Sequence, residues 1–348
     1  MIKNQNMTEN KLNRLKEILS IPTHSRNEKL MIEYLQKVLT EKGYEHYTDV
    51  HGNIYVTKGV SENYPCFIAH TDTVHTVNMN LEVLQEESIK DGVTLRGVDK
   101  TNGRPLGIGG DDKCGVYLVL EMLDTLENVK GAFFVSEEIG CKGSQHADRE
   151  FFSNVGYAIQ YDSPGGDSMS LTLMGRFLYN QKSEFANKVK GLIVEHGITD
   201  FAYHPYTDVW QIMEKFNIAC LNLAAGYYRY HTENEYVVVD DVQNGYELGL
   251  KLVAELGENK YENLKESKTY QSYGYWNNGY NNGNYYSNNG YNRNYSTTKN
   301  NGLLTEGKKE DDQDDIFNSG EYVFNERREG NRTYYHGGYD LYDEDFDW

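Results

Sequence analysis

Short apolar runs and segments of helical period alternate along residues 66–256, and few architectures accept that order. Cys66–Ala69, Gly131–Val135, Tyr157–Gln160 and Ala219–Leu223 have the length and composition of buried strands. Lys113–Leu126, Gln181–Glu195, Asp208–Lys215 and Val242–Leu256 carry apolar residues at helical spacing. Strand–helix alternation of this length predicts an α/β sheet with helices on both faces. In such sheets, ligands bind beyond the carboxyl ends of the strands.

The segment before this alternation reads as two helices and a hairpin. Leu12, Leu15, Ile18 and Leu19 mark a helix over residues 8–20, which Pro22 stops. Ser25-x-x-Glu28 has the form of a capping box, and Leu30, Tyr34, Leu35, Val38 and Leu39 line one face of the helix it would start. Gly43 ends that helix, and Gly52-Asn53 turns a hairpin spanning His46–Lys58.

Composition changes at about Lys265. Beyond it the chain is rich in Tyr, Asn, Gly and Asp, with repeats such as Tyr280-Asn-Asn-Gly and acidic runs at Glu310–Asp315 and Asp343–Asp347. Such a segment buries too little apolar surface to offset its chain entropy, so residues 265–348 are expected to be a disordered tail. Residues 1–264 are expected to form one domain with a substantial core. The tail ends Asp343-Glu-Asp-Phe346-Asp-Trp348, an acidic-aromatic pattern suited to a protein partner with a basic, apolar groove, although a solubilising spacer is the plainer role.

Charge and cysteines exclude several classes. The 348 residues hold 34 Lys+Arg against 53 Asp+Glu, a formal net charge of −19, which opposes binding to a nucleic-acid backbone. No apolar stretch approaches the ~18 residues of a membrane span, and Met1–Asn10 lacks the apolar core of a signal peptide. Cys66, Cys114, Cys141 and Cys220 form no C-x-x-C pair and read as free thiols of a cytoplasmic protein.

Polar residues gather where the apolar runs end. His70-x-Asp72 closes one strand, Asp111-Asp112 follows a glycine-rich turn, Glu137-Glu138 closes a second strand, Asp162 a third, and His231 lies beyond a fourth. Each has an ordinary explanation in isolation: a surface turn, a helix cap, a solvated face. Five together, four directly after apolar runs, are poorly explained that way. Buried carboxylates at strand ends are costly unless paired or metal-bound. Two imidazoles with several carboxylates and no thiolate suit Zn²⁺, Co²⁺ or Mn²⁺ better than Ca²⁺.

In order and spacing these residues resemble the co-catalytic metallopeptidases of the M20/M28/M42 type, especially tripeptidase T-like and carboxypeptidase-G-like M20 members. The resemblance spans about residues 10–257. It rests on Ile21-Pro22-Thr-His-Ser25…Glu28, Asp49-Val-His-Gly52-Asn53, His70-x-Asp72, Gly110-Asp111-Asp112-Lys113-x-Gly115, Glu137-Glu138-x-Gly140 and His231. It implies a mixed, largely parallel sheet and two divalent metal ions, zinc foremost. His70, Asp111 and Asp162 would hold one ion, and Asp111, Glu138 and His231 the other, with Asp111 shared. Glu137 would be the general base, and Asp72 would hydrogen-bond the second nitrogen of His70. Two adjacent cations activate a water held between them and polarise a carbonyl, and Glu137, not committed to metal, is free to carry the proton. Asp112 is expected to cap the following helix instead of binding metal.

The chain departs from the M20 pattern in one respect. Those enzymes insert a lid domain of about a hundred residues between the last two ligands, whereas here 231 − 162 leaves 69. The resemblance is therefore to an M20 catalytic domain lacking the lid, closer to M28. Oxyanion or substrate contacts would then come from the core, with Tyr230 and His204 as possible contributors and Arg176 and Arg229 as surface residues. The expected function is a di-metal exopeptidase, an aminopeptidase acting on short peptides. Alternatives are an amidohydrolase acting on acylated amino acids with the same metal site, and a non-catalytic binding protein that keeps the fold.

Overall fold

The computed structural model describes residues 7–173, 176–203 and 207–263, together with two strands near the C-terminus. The chain divides into two units, Met1–Glu266 and Ser267–Trp348. The first unit opens with helices α1 (Glu9–Leu19) and α2 (Lys29–Lys42), then strands β1 (Glu45–Thr48), β2 (Ile54–Lys58) and β3 (Tyr64–His70). Strands β4 (Leu81–Ser88), β5 (Gly92–Asp99) and β6 (Pro105–Leu106) precede α3 (Gly110–Thr125) and β7 (Val129–Phe134). Short helices α4 (Lys142–Gln145) and α5 (Arg149–Phe152) lead to β8 (Val155–Ser163), β9 (Ser168–Leu173) and β10 (Arg176–Phe177). Then come α6 (Glu184–Glu195), β11 (Asp200–Tyr203), α7 (Asp208–Phe216), β12 (Cys220–Ala224), β13 (Tyr227–Tyr228), β14 (Tyr236–Val238) and α8 (Val239–Leu256).

Among the described residues one nine-stranded sheet runs β1-β2-β7-β3-β8-β12-β9-β10, with β11 on β9. The four central strands, β7, β3, β8 and β12, are mutually parallel, and antiparallel pairs flank them. Every residue of β3, β7, β8 and β12 is buried, as a strand covered on both faces requires. Successive strand residues point to opposite faces, and β8 shows what covers each. Gln160 accepts hydrogen bonds from Thr207 and Val209 at the start of α7. The Tyr161 hydroxyl instead donates to the Gly245 carbonyl of α8. On that second face the Tyr161 ring stacks on Phe67, and each such buried aromatic contributes about 1.5–3 kcal/mol. The α/β class expected from the alternation is the class observed.

A second, antiparallel sheet was not legible as such. Its order is β13-β14-β5-β4, with β6 also on β5. Val93 and Leu95 of β5 follow the Asp91-Gly92 turn, a hairpin signature that its mostly exposed partner strand concealed. Three of its strands, β4, β5 and β6, lie between His70 and Asp111 in sequence, and β13 and β14 flank His231. One edge of β5 pairs with β14 at Thr94–Arg96 and with β6 at Gly97–Val98. It thereby sets the approach to His231 beside the glycine-rich turn that carries Asp111.

The expected capping box is not one. Ser25 and Glu28 do not cap α2. The Ser25 hydroxyl donates to Asp72, and Glu28 accepts from the Ser136 main chain and hydroxyl. Both are drawn away by buried polar groups that would otherwise lack partners.

In the second unit, strands β15 (Tyr322–Glu329) and β16 (Arg332–Tyr339) form an antiparallel hairpin, in register from Tyr322↔Tyr339 to Glu329↔Arg332. No regular element was expected beyond residue 264. Two runs rich in Tyr, Val, Phe and Thr flank Gly330-Asn331, a local hairpin signal that overall composition conceals. The rest of this unit lies outside the described residues. Among the described residues no helix is long and apolar enough to cross a membrane.

Candidate metal centre

The parallel strands deliver their polar residues to one end of the sheet. His70 is the last residue of β3, Glu137 and Glu138 follow β7, and Asp162 lies near the end of β8. Asp111 begins α3 beyond the glycine-rich turn, and His231 sits between β13 and β14. Ser136, Cys141 and His231 hold left-handed backbone at φ 57°, 54° and 61°, an arrangement costly for side-chain-bearing residues and concentrated at sites.

These residues converge. His70 Nε2 lies 3.3 Å from Asp111 Oδ1, 3.7 Å from Asp162 Oδ1 and 3.8 Å from Glu137 Oε2. His231 Nε2 lies 3.3 Å from Asp111 Oδ2 and 3.0 Å from Glu138 Oε2. Asp111 thus offers one oxygen to each imidazole. Ligand atoms of His70, Asp111 and Glu138 all fall within 4.8 Å of one another.

The donor set fits divalent metal on two grounds. Among the described residues, His70 Nε2, Asp111 Oδ1 and Glu138 Oε1 are buried with no hydrogen-bond partner, an arrangement that native interiors avoid unless something else fills the role. The separations also suit shared coordination, since two donors each about 2.1 Å from a tetrahedral ion are about 3.4 Å apart.

Charge is held uneasily here in the absence of metal. Burial pushes Glu137 well above the usual carboxylate range, and Asp162, Asp208 and Glu138 add to it against the opposing pull of His70. Burial and Asp111 raise Glu138 to about 7, with His231 opposing. Burial alone would lower His231, but Asp111 and Glu138 overcome it and push it up to about 11.

Surrounding groups fix these side chains. His70 Nδ1 lies 3.0 Å from the Asp72 main-chain oxygen and 3.4 Å from its carboxylate. The Asp72 carboxylate mainly accepts from Ser25 Oγ, Glu137 N and Glu138 N at 2.7, 2.9 and 3.2 Å, so it aims both glutamates. Asp112 caps α3 by accepting from Gly115 N at 3.0 Å, and its other oxygen accepts from His70 N at 3.1 Å. A side chain at Gly115 would collide with that carboxylate, since its Cβ would lie 2.2 Å from Asp112 Oδ1. The Cys141 thiol donates to Glu137 Oε1 at 3.3 Å.

Sequence reasoning missed two residues. Tyr227, 1% exposed, donates its hydroxyl to Asp162 Oδ1 at 3.4 Å. Glu235, also 1% exposed, accepts from Gly109 N at 2.7 Å, Asp111 N at 3.1 Å and His75 Nε2 at 2.7 Å, holding the glycine-rich turn in place. The signal for Tyr227 was its position three residues after a buried strand. Glu235 left none. Tyr230, a possible oxyanion contact from sequence, is 40% exposed and packs its ring edge-on against His231. Arg176 pairs with Glu214 at the surface, and Arg229 is exposed. His204 lies outside the described residues.

No family model matches the chain, and no curated protein is similar to it at a significant level. Solved structures do match its fold. Aminopeptidase PepT from Bacillus cereus aligns with a TM-score of 0.58 and 15% identity over 71% of this chain and 98% of that one. A tripeptidase from Staphylococcus aureus aligns with a TM-score of 0.53 and 14% identity over 70% of this chain and 96% of that one. An aminopeptidase from the archaeon Desulfurococcus kamchatkensis aligns with a TM-score of 0.51 and 16% identity over 72% and 95%. At these identities the likeness is one of fold.

Proposed function

We propose that the chain is a metal-dependent exopeptidase that trims short peptides from the amino end. The observation that carries this reading is the buried trio of unpartnered ligand atoms on His70, Asp111 and Glu138, with Glu137 against it. Solved structures of the same fold described as aminopeptidases and a tripeptidase support it.

Two divalent ions, zinc by donor type, would be held by His70, Asp111 and Asp162 and by Asp111, Glu138 and His231. When bound they supply Lewis acidity toward a carbonyl and a water. The protein's own residues do the rest. Glu137 takes the proton that the attacking water loses and returns it to the leaving amine. Asp72 fixes the Glu137 main chain so that this carboxylate faces the cup. Tyr227 orients Asp162. A single catalytic domain over residues 1–264, without a lid, belongs to the same proposal. Its support is that β9, β11 and β12, between Asp162 and His231, all join the main sheet.

Metal analysis of the purified full chain, with a peptide-library digest read by mass spectrometry, tests the reading. Two equivalents of metal and loss of single residues from the amino end are expected. Metal-free protein that leaves every peptide intact after zinc is supplied would sink it. Removal of acyl groups from acylated amino acids, with peptides untouched, would move it to the amidohydrolase class.

A further inference from the structure

Beside the metal centre lies a cavity of about 190 Å³, far larger than one water needs, that the chemistry above does not use. Thr23, Thr73, His75, Leu106, Lys113 and Glu233 line it. Its wall is shared with three ligand-bearing loops: Thr73 follows His70 by three residues, Lys113 follows Asp111 by two, and Glu233 follows His231 by two. Thr76 and Pro105 also line it and are exposed, so it opens to solvent.

Lys113 is the unusual member. It is 3% exposed, and among the described residues it forms no ion pair. Its ammonium has three donors, of which two go to the main-chain oxygens of Leu19 at 3.0 Å and Ile108 at 2.9 Å. A buried cation with a donor in hand is costly unless an anion meets it. The neighbouring carboxylate of Glu235 is already engaged by two main-chain N–H groups and His75. Glu233 is exposed and opposes an anion in the cavity.

We infer that this cavity is a subsite for the free C-terminal carboxylate of a short peptide, received by Lys113. The inference rests on the peptidase reading and narrows it: substrates are short because one end must reach this cavity while the scissile bond lies at the metal centre. Peptide amides, which lack the charge, lose that contact.

The test separates binding from turnover. Affinities of Leu-Gly-Gly and Leu-Gly-Gly-amide are measured by calorimetry on the zinc-loaded full chain carrying Glu137→Gln. The free acid is expected to bind at least about tenfold more tightly, the difference one charge-assisted contact supplies. Lys113 also holds two main-chain oxygens, so exposed positions locate the site. Thr76→Trp, which fills the cavity, is expected to bring the acid-to-amide ratio to about 1, and Glu233→Gln to raise it. Equal affinities in the parent protein, no binding of either peptide, or a ratio unmoved by Thr76→Trp each overturns the assignment. Cleavage of either peptide by the wild-type holoenzyme decides the peptidase reading separately.

Discussion

Glu137 is a carboxyl enclosed by other carboxyls, and its surroundings push it well above the ordinary carboxylate range. Burial is the larger cause, and the charges on Asp162, Asp208 and Glu138 follow. Cations among these carboxylates would draw it back toward the ordinary range and leave it ionised, which is what a base at this position needs. Glu137→Gln keeps the shape and removes the proton acceptor, so kcat is expected to fall by about 10²–10⁴-fold with metal content unchanged. Single-turnover kinetics beside metal analysis check this, and loss of metal together with activity would make Glu137 a ligand instead. At this scale the sequence was informative wherever a polar residue followed an apolar run, as for His70, Glu138 and Asp162. It was silent on residues whose partners lie far along the chain. Ser25 and Asp72 are 47 positions apart, Glu235 and Asp111 are 124 apart, and no local pattern encodes either bond.

Among elements, the small antiparallel sheet brings His231 to the other four proposed ligands. β5 serves as a template, because β6 leads into the glycine-rich turn and β14 is reached from His231 along the same edge. Glu235 then ties the two segments together by accepting from Gly109 and Asp111. Gly109 has φ +69°, and a Cβ there would lie 2.7 Å from Thr73 Cγ2, so the turn tolerates little else. Glu235→Gln retains one acceptor oxygen and loses the charge, leaving the Asp111 main chain less firmly held. Metal affinity is expected to drop about 10–100-fold, the usual effect of removing a group that orients a ligand. Competition with a chromophoric chelator measures it, and unchanged affinity would mean that α3 alone fixes Asp111. The major sheet was legible because its strands are uniformly buried and its helices periodic. The minor sheet was not, because β4 is mostly exposed and β6 and β13 are two residues long.

For the whole molecule, the candidate metal centre is a stored instability. Stripped of cations, the folded chain keeps Glu138 and Asp208 buried, and burial, the larger cause in each case, raises both to about 7. A carboxyl whose folded pKa exceeds its unfolded one, here ordinary values of 4.5 and 3.8, stabilises the fold below the unfolded value. That contribution is lost as pH rises through the folded value. Stability of the stripped protein should therefore decline between about pH 4.5 and 7, by on the order of 3 kcal/mol from Glu138 alone. In a domain of this size that is several degrees of melting temperature. His231 declines later, since its raised value near 11 places its loss between about pH 6.5 and 11. On the proposed reading, cations bound in the cup would offset the charges these groups acquire, so the loaded protein should hold its melting temperature across the same range. Melting curves with and without chelator at pH 5, 6, 7 and 8 make the comparison. Parallel profiles would show that the acidic cup does not depend on cations for its stability, and the metal reading would lose its physical basis.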